Sequence, residues 1–223
     1  MAQFEYEPSE EAKTIATSHR IMQGAFPRTW FEYVPDTARS DAPVVILLHG
    51  AGRDGLSLID MWKDVAKSHG VILLAPNGIR GKWPMDSPRP KVVLDIFADL
   101  SGRHRIDSDR VYLFGHSNGA SYAQVLMNRA EGPWRAAVLH AGYWSTENLV
   151  SPLDAKPIRL YLGVLDHIFT IPNARAVGQG LARAGHDVEF VKISQHTHWL
   201  YALGPDIADD SWQWLDQTVA RAN

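Results

Sequence analysis

The sequence predicts an α/β domain with a mostly parallel central sheet and helices on both faces. Six short segments are continuously apolar and do not alternate between apolar and polar residues. Such continuous runs are typical of strands that are buried on both faces of a sheet. Segments with helical spacing separate these runs, so right-handed crossovers should join neighbouring strands. The 223 residues, 45% of them hydrophobic, suit one domain with a sizeable core. We therefore expect one domain over 1–223, in which residues 1–27 form an N-terminal extension.

The strands follow from continuous apolar segments that end in glycine or polar residues. FEYVP (31–35) precedes them and predicts an antiparallel edge strand near the N-terminus. The six parallel strands are predicted at 43–50, 71–78, 110–117, 135–142, 158–166 and 188–194.

The helices follow from apolar residues that share one face, with glycine or proline as stop and start signals. Connections between the elements are short, so we expect no large cap domain. The four apolar faces are Leu58, Met61, Trp62 and Val65 before Gly70; Val93, Ile96, Phe97 and Leu100 after Pro90; Ala174, Val177, Leu181 and Ala184 before Gly185; and Trp212, Leu215 and Val219.

Composition narrows the possible functions. The net charge is −3 and no basic block occurs, which disfavours nucleic acid as a partner. The absence of cysteine excludes disulfides, thiolate metal sites and a cysteine nucleophile. The N-terminus lacks the pattern of a signal peptide, and no apolar run approaches the roughly 18 residues of a membrane helix. The expectation is a cytoplasmic protein that needs no membrane, metal or cofactor. A secreted protein whose signal peptide had been removed would show the same N-terminus.

The motif GHSNG at 115–119 places Ser117 between a predicted strand and a predicted helix. In an open α/β sheet, ligands bind beyond the carboxyl ends of the strands. A serine on a tight strand-to-helix turn is held in strained geometry with its hydroxyl exposed, and bulky residues two positions away would collide. Glycines 115 and 119 fit that requirement. The spacing alone is a weak signal, and the flanking elements make Ser117 a candidate nucleophile.

A serine nucleophile needs a base, and the base needs an acid that orients it. In this architecture the acid follows a later strand and the histidine follows the last one. Asp166 ends the run 158–166, whereas Asp154 and Asp187 are poorly placed. Two histidines, His196 and His198, follow the run 188–194, and these residues alone do not decide between them.

The oxyanion of an acyl-transfer intermediate needs preorganised donors, usually two backbone N–H groups. One should belong to Asn118, directly after the serine. The other should come from the turn HGAG after the run 43–50, and we choose Ala51. In that turn His49 is expected to be a structural residue, and His140, inside a strand, a hydrogen-bonded core residue.

Together, HGAG, GHSNGA, LDHIF and HTHW make the chain resemble α/β-hydrolases of the esterase branch over about residues 28–220. It is most similar in pattern to compact esterases related to feruloyl esterases and polyhydroxybutyrate depolymerases. The resemblance implies Ser117 as nucleophile and Asp166 as acid, and related endings favour His198 as base, with His196 as second choice. The reach of the loop agrees, because two further residues add about 7 Å. The chain departs from secreted members in lacking cysteine and a signal peptide.

Several aromatic residues fall in loops on the expected catalytic side. Together they could line a flat apolar slot for an aryl or short acyl group, although each alone is more often a packing residue. The resulting expectation is hydrolysis of short-chain or aryl carboxylic esters. The five candidates for substrate contact are Trp83, Tyr143, Trp144, Phe169 and Trp199.

Other functions fit parts of the same pattern. A serine peptidase or thioesterase could use the same three residues, and a catalytically silent hydrolase fold could bind a small molecule. Metal binding through His167, His196 and His198 would need a further acidic partner besides Asp166. The intact serine, acid and histidine favour the enzyme over the silent fold.

Overall fold

A computed structural model describes residues 5–24, 26–85 and 90–220 of the chain. Six helices and one eight-stranded sheet form the described fold. The strands are β1 (Thr17–Gln23), β2 (Phe26–Tyr33), β3 (Ala42–Leu48), β4 (Ile72–Pro76), β5 (Ile106–His116), β6 (Ala136–His140), β7 (Ile158–Gly163) and β8 (Val188–Ile193). The helices are α1 (Glu10–Ile15), α2 (Gly55–His69), α3 (Lys91–Arg103), α4 (Asn118–Arg129), α5 (Ile171–Arg183) and α6 (Gly204–Ala220).

The sheet has the order β1-β2-β4-β3-β5-β6-β7-β8. Strands β3 to β8 pair in parallel, whereas β1 and β2 are antiparallel to their neighbours. The expected parallel sheet is confirmed. The expected edge strand at 31–35 is wrong in one respect, because β2 lies between β1 and β4 and β1 is the edge.

The apolar runs form interior strands because both faces of the sheet are covered. Helices α3, α4 and α5 pack against one face, where Leu113 and Leu139 lie in a core shared with Leu126 of α4. Helices α2 and α6 cover the other face, where Phe114 and Trp62 belong to a second core. The six expected strands and four expected helices therefore all occur. Among the described residues no segment forms a separate cap.

The ends of α2 show how the sequence sets helix bounds. Asp54 begins the helix by accepting a hydrogen bond from the backbone N–H of Ser57, at 3.2 Å. Gly70 ends it in the left-handed conformation, with φ of 68°. A Cβ there would lie 2.8 Å from the carbonyl oxygen of Thr37, so glycine is required twice over.

Part of the N-terminal segment belongs to the sheet. Strand β1 pairs with β2 from Thr17 to Gln23, and α1 precedes it. Ser9 donates its backbone N–H and its hydroxyl to Asp60 of α2, at 2.8 and 2.6 Å, which attaches the segment to that helix. None of the described helices combines the length and apolar character needed to cross a membrane.

Candidate active site

Ser117 occupies the tight turn between β5 and α4. Its backbone has φ of 52° and ψ of −118°, a conformation that residues with a side chain rarely adopt. The backbone N–H of Ser117 donates to the carbonyl of His140 on the neighbouring strand, at 2.9 Å. This contact holds the serine at the carboxyl edge of the sheet, where the hydroxyl is presented to the loops above.

The glycines of GHSNG are required by close backbone contacts. A Cβ at Gly115 would lie 2.5 Å from the carbonyl oxygen of Gly119. At Gly119 it would lie 1.9 Å from the carbonyl oxygen of Leu48. Gly142 is equally confined, since a Cβ there would lie 2.1 Å from the carbonyl oxygen of Ser117. The collisions expected from the motif are confirmed.

Ser117, His198 and Asp166 lie in hydrogen-bond contact. The distance from Ser117 Oγ to His198 Nε2 is 2.9 Å, and that from His198 Nδ1 to Asp166 Oδ2 is also 2.9 Å. Three different elements position these groups: the turn after β5, the loop after β8 and the loop after β7. The order of contacts lets the histidine accept a proton from the hydroxyl while the carboxylate fixes its ring.

Asp166 is held by the start of the following loop. Its Oδ1 accepts the backbone N–H groups of Ile168 and Phe169, at 2.8 and 2.9 Å. Burial acts to raise the pKa of Asp166, but the hydrogen bonds from His198 and these two N–H groups outweigh it and lower the pKa. The carboxylate is therefore ionised at neutral pH and faces the histidine.

His196 lies on the same loop but points away from the serine. Gln195 turns the chain with φ of 59°, and His196 is buried behind the site. Its Nε2 lies 3.0 Å from Nε2 of His140, and Nδ1 of His140 lies 3.0 Å from Nδ1 of His116. We call His116, His140 and His196 the histidine chain.

Burial keeps the histidine chain uncharged. It lowers the pKa of His116 to about 3, helped by the neighbouring His198. Burial likewise places the pKa of His140 well below its ordinary value and lowers that of His196. A structural role was expected for His140 from its place in a strand. His116 was not singled out, although its place inside the motif GHSNG was an available signal.

The expected oxyanion donors belong to two separate turns. Within the described chain, no hydrogen bond occupies the backbone N–H of Ala51 or of Asn118. The turn that contains Ala51 is fixed by His49, which accepts the N–H of Gly78 at 2.9 Å and donates to the carbonyl of Gly50 at 2.8 Å. His49 therefore has the structural contacts that its position suggested.

The aromatic candidates are distributed around the site rather than in one slot. Phe169 stacks on His198, with ring centroids 5.7 Å apart, and Tyr143 meets Phe169 edge-on at 4.8 Å. Trp199 contacts Tyr201. Trp144 packs against the core through its side chain.

Trp83 is the exception among the aromatic candidates. It is only 4% exposed and stacks on Tyr122, with ring centroids 5.1 Å apart. Its Nε1 donates to the carbonyl of His49 at 2.9 Å, and its backbone N–H donates to Asn118 Oδ1 at 2.7 Å. Trp83 therefore supports the two turns of the expected oxyanion site.

No group of three histidine, aspartate or glutamate side chains within the described ranges is arranged to hold a metal ion. The ring of His196 faces His140, whereas that of His198 faces Ser117 and Asp166. The two histidines of HTHW thus direct their nitrogens to different partners.

The sheet order, the crossovers and the serine turn together define an α/β-hydrolase fold. Solved structures share it. The esterase Est2 from Thermogutta terrifontis is 15% identical, with 94% of this chain and 95% of that chain covered and a TM-score of 0.71. The poly(3-hydroxybutyrate) depolymerase LpqC from Bordetella parapertussis is 20% identical, with coverage of 93% and 94% and a TM-score of 0.69.

An S-formylglutathione hydrolase from Agrobacterium tumefaciens is 16% identical, with 92% of this chain and 94% of that chain covered and a TM-score of 0.71. No protein-family model and no curated protein sequence matches the chain. At these identities the likeness establishes the fold, and the activity must be argued from the site.

Proposed function

We propose that the chain hydrolyses carboxylic esters through an acyl-enzyme, with Ser117 as nucleophile, His198 as base and Asp166 as the orienting acid. The observation that supports this most is the contact of His198 with Ser117 Oγ on one side and Asp166 on the other, both at 2.9 Å. The strained turn under Ser117 adds weight, because such strain is concentrated at functional sites.

The reaction follows from these contacts. Ser117 Oγ attacks the ester carbonyl carbon as its proton passes to His198 Nε2. The backbone N–H groups of Asn118 and Ala51 donate to the oxyanion that forms. The tetrahedral intermediate then collapses, the alkoxide leaves with the proton from His198, and an acyl group remains on Ser117. A water molecule, deprotonated by His198, repeats the sequence and releases the acid.

The surroundings favour short or aromatic substituents. Phe169 and Tyr143 offer aromatic surface beside His198. Three apolar side chains within two residues of Asp166 in the sequence are about half exposed and offer further apolar surface: Val164 at 50%, Leu165 at 54% and Ile168 at 57%. The described elements form no cap that would enclose a long chain, so we propose short-chain or aryl esters as substrates.

Replacement of the nucleophile tests the mechanism. Ser117→Ala should lower kcat for 4-nitrophenyl acetate by about 10³-fold or more, because no acyl-enzyme can form. Its melting temperature should not fall, since backbone contacts rather than the hydroxyl hold the turn. An organophosphonate should label wild type once per chain and leave the variant unlabelled. A variant that turns over near the wild-type rate would refute covalent catalysis at Ser117.

The substrate is tested separately with a panel of esters. Rates on 4-nitrophenyl esters from acetate to octanoate, and on methyl ferulate, should be highest for the short and aryl members. Maximal rates on octanoate would contradict the proposed open site. An unreactive serine, neither labelled nor turning over any ester, would instead indicate a silent fold that only binds ligands.

A further inference from the structure

A second concave site lies beside the turn of the expected oxyanion donors. It is a cavity of about 930 Å³ between β2 and the loop after β4. The described residues that line it include three arginines, Arg28, Arg53 and Arg80, and no aspartate or glutamate. A cavity of this size can hold a small organic group, and its charge favours an anion.

Arg28 is the unusual member of this wall. It is 9% exposed and donates one hydrogen bond, from Nη2 to the carbonyl of Asn77 at 2.7 Å. No carboxylate in the described part of the chain forms an ion pair with it. Burial lowers the pKa of its guanidinium, and the nearby Tyr122 opposes that effect. A guanidinium has five N–H donors, and only one hydrogen bond joins Arg28 to a described residue, so the other donors are available to a ligand in the cavity that Arg28 lines.

The same strand shows how this protein otherwise treats a buried charge. Glu32 lies on the same face of β2 as Arg28, four residues further along. It is 6% exposed and accepts two hydrogen bonds from Arg103, both at 2.7 Å. Burying an ion without its counter-ion costs free energy that is recovered only when a partner arrives. Arg28 has no such carboxylate partner among the described residues, so an anionic ligand would supply the missing counter-ion.

The cavity is connected to the catalytic side by shared residues. The carbonyl of Gly81, in its wall, accepts the N–H of Gly52 from the oxyanion turn, at 2.9 Å. Trp83 lines the cavity and also donates its backbone N–H to Asn118. Arg53 lies over the ring of Trp199, the residue after His198, at 5.2 Å from the ring centroid. A ligand in the cavity would therefore contact residues that also hold the turns of the expected oxyanion donors.

From these observations we infer that the cavity binds the anionic group of a charged ester, a carboxylate separate from the scissile carbonyl, with Arg28 as its principal partner. This inference rests on the ester hydrolysis proposed above and names its substrate class. Arg28 is buried and positions the carboxylate by charge-assisted hydrogen bonds, whereas Arg80 is exposed and attracts it at the entrance.

Binding without chemistry tests the cavity directly. The probe is 4-acetamidobenzoate, whose amide resists hydrolysis, compared by calorimetry with the neutral carboxamide 4-acetamidobenzamide, which contains no ester. Wild type should bind the anion roughly 10- to 100-fold more tightly than the carboxamide. Arg28→Met should remove that preference, and Arg28→Lys should retain part of it. Arg175→Met, which removes an exposed arginine of α5 outside the cavity, should bind both probes as wild type does.

The folding of the variants gives a further check. Because Arg28→Met removes a buried charge that has no protein counter-ion, its melting temperature should equal or exceed that of wild type. If Arg28→Met does not fold, Arg80→Met takes its place. That exposed substitution should weaken binding of the anion by about 2- to 5-fold and leave binding of the neutral carboxamide unchanged.

Turnover decides whether the bound anion belongs to the substrate. The specificity constant kcat/KM should be higher for 4-acetoxybenzoate than for its methyl ester, or for monoethyl adipate than for ethyl hexanoate, and Arg28→Met should abolish the difference. The first pair places the carboxylate on the alcohol side and the second on the acyl side. Equal kcat/KM within both pairs, or equal Kd values for wild type and Arg28→Met, would overturn the inference.

The calorimetric result is independent of the catalytic proposal. Ser117→Ala should bind 4-acetamidobenzoate as tightly as wild type does. If Ser117→Ala still hydrolysed esters, the proposed mechanism would fail while the Arg28-dependent preference in Kd remained. If Ser117→Ala were inactive and wild type showed no Arg28-dependent preference for the anion, the proposed mechanism would be supported and the proposed anion site would be refuted.

Discussion

His198 and His196 are two residues apart on one loop, and their surroundings differ in every respect that matters to a base. The ring of His198 contacts a carboxylate and a hydroxyl, whereas the hydrogen-bond partner of the His196 ring among the described residues is another imidazole. An imidazole that must accept a proton needs a negative partner that stabilises the cation. A buried imidazole beside neutral rings is held neutral instead. The chemical partner of each imidazole, rather than its position in the sequence, therefore determines whether it is suited to act as a base.

The largest expected effect is the difference in kcat between variants that lack His198 and variants that lack His196. His198→Ala should lower kcat by about 10³-fold, because the serine loses its base. His196→Ala should keep kcat within about tenfold but lower the free energy of unfolding by about 1 to 3 kcal/mol, since Nε2 of His140 loses its partner.

Rates on a single nitrophenyl ester and urea unfolding of the same samples measure both quantities. His167→Ala, at an exposed position beside Asp166, serves as the control and should change neither. A His196→Ala variant that folds normally but loses most of its activity would contradict the assignment of His198 and indicate that His196 is the base.

A smaller effect should appear in the pH dependence of stability. The pKa values of His116, His140 and His196 are lowered by burial, so the folded state stays neutral while the unfolded state takes up protons below the ordinary histidine pKa of about 6.5. Stability should therefore be highest above that pH and fall as the pH decreases, by about 1 kcal/mol per pH unit for each proton.

Two further buried histidines, His49 and His186, have lowered pKa values and act in the same direction. The lowered pKa of Asp166 acts in a separate window, because its stabilisation is lost only below about pH 4. The free energy of unfolding measured from pH 7.5 to 5 should decline, and His140→Gln should reduce the slope by one proton. If the free energy of unfolding of wild type did not change between pH 7.5 and 5, the histidine chain would not be held neutral in the folded state.

The smallest effect concerns the indole that supports the oxyanion turn. Trp83→Phe should lower the free energy of unfolding by about 1 kcal/mol more than Trp62→Phe does, because only Trp83 donates its Nε1–H, to His49. Trp62 is also buried, and its Nε1 has no partner among the described residues. Equal losses in thermal unfolding would show that this hydrogen bond adds nothing.

Sequence patterns predicted most of the framework for identifiable physical reasons. Continuous apolar runs identified the parallel strands, because a doubly covered sheet leaves no polar face. The motif GHSNG identified Ser117, because its glycines are the residues that the backbone contacts allow. Strand β1 was missed, since TSHRIMQ is mostly polar and pairs along one edge only.

The remaining features depend on contacts that local sequence does not encode. The rings of His196 and His198 have different partners, and they follow a left-handed turn at Gln195, a conformation that this residue type seldom adopts. The arginine-lined cavity combines residues from β2, from the loop after β4 and from α3 and α4. No single segment of the sequence contains enough of the lining residues to predict the cavity.

The hydrogen bonds of the histidine chain must all run in the same direction. Each neutral imidazole holds one hydrogen on one of its two nitrogens, and His140 is bonded through both. If His140 donates to His116, it must accept from His196; if it accepts from His116, it must donate to His196. The three rings therefore have two concerted tautomeric states, and no ring can exchange tautomers alone. A change from one tautomeric state to the other would therefore change the nitrogen-15 chemical shifts of all three side chains at the same time.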